Sequence, residues 1–183
     1  MLQTGAVSIE PDTKDWTWVL TRPCPECGFD PADVAADDLA ELIHDNTRGW
    51  YTALDGPDAA VRPAPQVWSA LEYACHVRDV HRLFAERVTL MLEQDDPQFA
   101  NWDQDVTAIE SRYDEQDPAT VSVELVEAAA DVAAIYAKVE GDHWQCPGRR
   151  SNGSVFTVET LGRYHLHDVV HHLPDVGLGS APP

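Results

Sequence analysis

Two sets of histidines, His76 within WSALEYACHVRD and His167 with His171 within RYHLHDVVHH, stand about ninety residues apart in segments that read as helices. Histidines four apart on one helix project from the same face, an arrangement suited to a divalent metal. A third imidazole from a facing helix would complete three of the four positions around a zinc-like ion and leave one for chemistry. A closed structural site would use all four. The pattern therefore asks for a fold that sets two distant helices side by side with their histidine faces inward.

Four long segments carry the three- and four-residue apolar spacing of helices. The first runs from about Asp37 to Leu54, with Leu39, Leu42, Ile43, Trp50 and Leu54 on one stripe, and Gly56-Pro57 ends it. The second begins at Ser69, whose Glu72 three residues on completes a capping box, and reaches about Glu93. The third spans about Val121 to Val139, and the fourth starts near Thr157 and stops before Pro174. Residues 93 to 117 hold nine acidic residues and one arginine, which predicts a long solvated loop with a short helix. Asn152-Gly153 predicts a small hairpin or tight loop before the last helix. Without internal repeats, four helices with long second and third connections predict an all-α four-helix bundle. A length of 183 residues suits one domain. The expected division is an irregular N-terminal extension over residues 1–32 and the bundle over residues 33–183.

The net charge of -20, from 32 acidic against 12 basic residues, repels a phosphate backbone, so nucleic acid is not an expected partner. Any anionic ligand needs a local basic island. No apolar run approaches the ~18 residues of a membrane span. The start MLQTGAVSIEPDTKD has neither the basic n-region nor the apolar h-region of a cleaved signal, so a cytoplasmic protein is expected. Cysteines in such a compartment are poor evidence for disulfides. Cys24 and Cys27 have the spacing of half a zinc knuckle or of a redox pair, while Cys75 and Cys146 are isolated. The leader that carries the pair precedes the bundle and lacks helical pattern, so the pair is expected to stay outside the histidine site.

Placement separates the histidines. His76 sits at the centre of the second helix's apolar stripe, flanked by Tyr73, Val80 and Leu83, and should point inward. His81 falls with Arg78 and Arg82 on the polar side, and His44 beside Asp45 and Arg48; both are expected at the surface. On the last helix His167 and His171 share a face with Tyr164 and Thr160, whereas His165 and His172 share the more apolar face with Val158, Leu161 and Val169. A helix buried on two sides, against its bundle and against a partner subunit, would reconcile both faces.

WSALEYACHVRD resembles the W-S-x-x-E-x-x-x-H-x-x-D signature of the DinB/YfiT-like superfamily, and HDVVHH resembles its C-terminal H-x-x-x-H. The resemblance covers roughly residues 33 to 175. It implies an up-up-down-down four-helix bundle, commonly dimeric, with a divalent metal held by three histidines, here His76, His167 and His171. Mycothiol-dependent maleylpyruvate isomerases and bacillithiol transferases belong to that superfamily and use the metal for thiol chemistry. In the isomerase branch a glutamate takes the first position of the last-helix pair. With His167 at that position, this chain resembles the all-histidine branch.

Three neutral imidazoles would leave a zinc or nickel ion able to lower the pKa of a thiol or a water. Arg149 and Arg150 form a local basic pair just before the last helix, suited to gripping a carboxylate of a thiol cofactor or substrate. Tyr164 is a candidate proton donor, Asp79 and Asp168 are candidates to orient imidazoles, and Glu72, one turn before His76, is within reach of a metal there. These features point to a thiol-dependent transferase or isomerase of the mycothiol, bacillithiol or glutathione type, acting as a homodimer on a small electrophile. The alternatives are a metal-dependent hydrolase and a non-catalytic metal- or ligand-binding stress protein.

Overall fold

The computed structural model describes residue 9 and residues 14–178. Its helices are α1 (Leu39–Asn46), α2 (Trp50–Leu54), α3 (Ala70–Glu93), α4 (Gln104–Glu110), α5 (Pro118–Tyr136) and α6 (Val158–His171). A 3-10 turn, Thr47–Gly49, joins α1 to α2, so the first predicted helix is one continuous but locally tightened rod. Thr47 Oγ1 donates to the carbonyl of His44 at 2.7 Å, a side-chain bond that competes with the helical ladder at that point. α3 packs mainly on α5 and α6, and α1 closes the bundle against the same two helices. This is the predicted four-helix bundle. Gly162 permits α6 to approach Leu39 of α1 closely, because a Cβ there would lie 2.5 Å from Leu39 Cδ1. Among the described residues no helix is long and apolar enough to cross a membrane.

The start of α3 follows the sequence closely. Ser69 Oγ accepts from the backbone amide of Glu72 at 3.2 Å, and Glu72 Oε2 accepts from the amide of Ser69 at 2.9 Å. Arg62 then clasps the same carboxylate, its Nε 2.9 Å from Oε2. Glu72 is buried and fully committed to this cap, so its expected reach to a metal is not realised. Glu72→Gln should keep the shape but weaken the charge-assisted bonds, lowering stability by about 1–2 kcal/mol in urea unfolding. An unchanged midpoint would mean that the carboxylate charge is immaterial there.

α5 starts three residues before the expected Val121, because Asp117 caps it by accepting from Thr120 N at 2.9 Å and Pro118 occupies the first helical position. The acidic connection is also less solvated than its charge predicts. Phe99 and Tyr113 are buried, and β1 (Gln98–Phe99) runs parallel to β2 (Pro147–Arg150), which pairs antiparallel with β3 (Val155–Thr157). The β2–β3 pair is the hairpin that Asn152-Gly153 signals; β1 and the three-stranded sheet had no sequence signal. α4 is the short helix expected in this connection.

Because α5 and α6 both pack along α3, part of its polar face is internal, although Arg82 stays half exposed. His81 is fully buried, contrary to expectation, and so is Arg78, which donates to Asp79, Gln116 and Glu124. Three acceptors offset the cost of burying that guanidinium. His44 is exposed, as expected.

Candidate metal centre

Successive residues of a helix are turned by about 100°, and α6 uses that rotation to serve three environments. His165 points into the bundle. Asp168 and His172, four apart, face α3. His167 and His171, also four apart, face the N-terminal leader. The three expected ligands are therefore divided between two groups. His76 gathers with Asp168 and His172, whereas His167 and His171 gather with Cys24 and Cys27; within each group the ligand atoms lie within 4.8 Å of one another. The physical reason is a one-residue register difference: HDVVHH contains two overlapping i, i+4 pairs, and the one facing α3 begins with the aspartate.

In the first group His76 is fully buried, and its Nε2 lies 3.2 Å from Asp168 Oδ1. His172 Nε2 lies 3.9 Å from the same oxygen. A tetrahedral ion with bonds of ~2.0–2.2 Å places neighbouring ligand atoms roughly 3.4 Å apart, so these spacings fit a divalent cation with little rearrangement. The electrostatics fit as well. Burial alone would push the Asp168 carboxyl up, but the His76 hydrogen bond and the neighbouring histidines outweigh it and hold the group well below the usual carboxylate range. Burial pushes His76 down despite Asp168, so a neutral imidazole faces an anion. Asp175 Oδ2 lies 2.9 Å from His172 Nδ1 and leaves Nε2 turned to the group, the usual arrangement of a carboxylate behind a ligating imidazole. Trp68 and Trp102 pack at 5.6 and 5.5 Å from the His76 ring, walling this side with apolar surface.

The second group overturns the expectation for the leader. Cys24 Sγ lies 3.8 Å from His171 Nδ1, so the C-x-x-C pair sits against the last helix rather than outside it. Trp16 packs tilted against His167 at 5.6 Å and edge-on against His171 at 4.9 Å, and Phe29 lies 5.4 Å from His167. The second face of α6, expected to need a partner subunit, is thus covered by the chain's own leader. Burial and the neighbouring His171 push His167 down to about 4, and burial pushes the Cys27 thiol up to about 11.

The remaining pair is internal. His81 Nδ1 and His165 Nε2 are 3.0 Å apart, so one donates and the other accepts, and Tyr136 Oη lies 3.3 Å from His165 Nδ1. Burial holds both imidazoles neutral, His81 pushed down to about 4. They are core hydrogen-bonding groups, distinct from either ligand cluster.

A cleft of about 110 Å³ opens on α6, lined by Trp16, Gln104, Tyr164, His167, Asp168, His171 and His172. Trp16, Gln104 and Tyr164 also line an adjoining groove of about 380 Å³, whose other walls include Lys14, Asp15, Trp102 and Arg150. Arg150 therefore lines the groove, with its guanidinium 5.7 Å from the Tyr164 ring. Arg149 does not: it forms a salt bridge with Asp96, and β2 directs it away from the groove. Tyr164 lines both spaces, and burial raises its pKa, so the phenol stays protonated. Asp79, the other candidate to orient an imidazole, is taken by Tyr113 Oη at 2.6 Å and by Arg78. Sequence reasoning missed His172 as a partner of His76 and placed Asp168 behind the imidazoles, whereas its carboxylate lies in one group with both rings. The overlapping i, i+4 pair was the available signal. Trp16, Trp102 and Gln104 had none, since their places depend on how the leader and the acidic connection return to α6.

The fold is similar to that in a structure described as "YfiT from Bacillus subtilis is a probable metal-dependent hydrolase with an unusual four-helix bundle topology", with a TM-score of 0.69 over 81% of this chain and 91% of that one, at 16% sequence identity. No curated protein matches the sequence significantly. A family model described as the DinB superfamily matches residues 39–175, a span that holds every bundle helix and the whole His76 group. That span is well over half the chain, which therefore belongs to the DinB superfamily.

Proposed function

We propose that this protein is a metal-dependent transferase or isomerase that holds a divalent ion through His76, Asp168 and His172 and seats a low-molecular-weight thiol in the adjoining groove. The observation that carries the reading is the three-ligand group opening onto a cleft, with fewer protein ligands than a zinc or nickel ion takes. When bound, such an ion supplies Lewis acidity that favours the thiolate over the thiol. The chain's own residues do the rest. Ionised Asp168 contributes the negative charge of the ligand set, and Asp175 fixes the His172 ring. Arg150 is placed to grip a carboxylate on the thiol or the electrophile, and protonated Tyr164 to donate a hydrogen bond to an oxygen that gains charge. A groove edged by Lys14, Arg150, Asp15 and side-chain amides suits a polar carrier thiol better than an apolar ligand. A carboxylate at the first position of the last-helix pair also brings the chain nearer to the isomerase branch than His167 would.

A second reading, hydrolysis, is supported by the description of the Bacillus subtilis relative and by the donor set, since two histidines with one carboxylate are also the ligands of hydrolytic zinc sites. The two are separated by incubating zinc- or nickel-loaded protein with glutathione, bacillithiol or mycothiol and a panel of electrophiles, alongside ester and amide substrates without thiol. Thiol-dependent turnover is expected, with Arg150→Ala raising the thiol or substrate KM by about tenfold at little change in kcat, as loss of one charge-assisted contact predicts. Thiol-independent cleavage of an ester or amide would replace this reading with the hydrolase.

A further inference from the structure

We infer that Cys24, Cys27, His167 and His171 form a second metal site, a closed Cys2His2 zinc site that clips the leader onto α6. The argument is independent of the activity proposed for the His76 group. A C-x-x-C pair is half of a structural zinc site, and the fold supplies the other half as an i, i+4 histidine pair. Two thiolates and two neutral imidazoles balance the charge of a divalent ion, and a neutral, four-ligand group is the kind that can be buried without an exchangeable position.

The local structure is built for it. Cys24 N donates to Phe29 O and Gly28 N to Cys24 O, both at 2.8 Å, closing a tight loop that turns back at Gly28 with φ of +77°. A residue with a side chain is strained at that angle, so glycine has a mechanical reason to follow Cys27. Cys24 is almost fully buried and lies 3.8 Å from His171 Nδ1. Sulfur and nitrogen ligands on one tetrahedral zinc lie roughly 3.5 Å apart, so a small inward movement suffices. His167 is 3% exposed, and its Nε2 is buried without a hydrogen-bond partner, a costly state that a metal bond would remove. Glu26 Oε2 lies 3.6 Å from His171 Nε2, so a carboxylate sits near the ring nitrogen turned away from Cys24, within reach of a hydrogen bond after a small shift. The consequence reaches the groove: Trp16 packs on both rings and forms its wall, so the clip sets the shape of the neighbouring cleft.

The test is metal content and coordination of the purified full chain, freed of added thiol by gel filtration. Zinc-replete protein should carry two ions per chain, falling to one in Cys24→Ser/Cys27→Ser and to one in His76→Ala. Zinc-edge X-ray absorption of the unaltered chain should show sulfur at ~2.3 Å along with nitrogen at ~2.0–2.1 Å. Cobalt-substituted protein should show a sulfur-to-metal charge-transfer band that persists in His76→Ala and vanishes in the cysteine variant. Only nitrogen and oxygen around zinc in the unaltered chain would overturn the inference, as would a Cys24–Cys27 disulfide in freshly purified protein. These two measurements need no variant, so they decide the matter even where the double substitution prevents folding.

Discussion

Asp168→Ala is expected to lower the affinity of the His76 centre for zinc or nickel by more than ~100-fold, since removing even a residue behind a ligand costs 10–100-fold. Asp168 is the one anion in its group, and both imidazoles are oriented toward its Oδ1. Without it two neutral rings would face a doubly charged ion. His76 Nε2 would also lose its partner in a buried setting, which should cost about 1–3 kcal/mol of stability in the metal-free protein. Competition with a chromophoric chelator measures the first effect and urea unfolding the second. Turnover should fall in parallel with occupancy and return in part at high metal concentration, which separates loss of affinity from loss of fold. Tight metal binding retained in the alanine variant would remove Asp168 from the ligand set.

Acid should destabilise the protein through the His81–His165 pair. The folded pKa of His81 is pushed down to about 4 by burial, against an ordinary value of 6.5. Between those values the unfolded chain binds more protons than the folded one, so stability rises with pH. The contribution is present in full above about pH 6.5 and is lost as pH falls toward 4, with a loss of order 3 kcal/mol for the single group. The measurement is the difference in unfolding free energy between wild type and His81→Phe across this range, in which titrations common to both proteins cancel. The wild type should lose its advantage, or deepen its deficit, as pH falls. A difference that does not change with pH would mean that His81 is protonated or solvated in the native state.

The bundle was legible because its signals are local: the Ser69/Glu72 box, the apolar stripes and the Asn152-Gly153 turn each act within a few residues. The start of α5 was misplaced for want of weighing Asp117-Pro118, a cap that precedes the apolar pattern. The site was half legible. The inward direction of His76 follows from its stripe, but the choice between His167/His171 and Asp168/His172 turns on the rotation of α6 about its axis. That rotation is set by what packs on its second face. The cover is the leader, whose irregular chain carries no periodicity from which a position can be inferred. His81 was misjudged for a related reason: a polar stripe normally faces solvent, yet at this level of α3 α6 packs over the stripe, and His81 pairs with His165 across the contact.

The contact between Cys24 and His171 joins residues 147 positions apart. On the ribosome the leader is made well before α6, so the clip cannot be completed until α6 has emerged. Through that interval both thiols and the Trp16 side chain lack their partner surface. Closing such a long loop is entropically slow, and the contacts inside α3 and α5 have no reason to wait for it. The leader should accordingly be the last element to gain protection in refolding followed by hydrogen exchange, and the arrival of α6 marks the moment at which a newborn chain acquires its cleft.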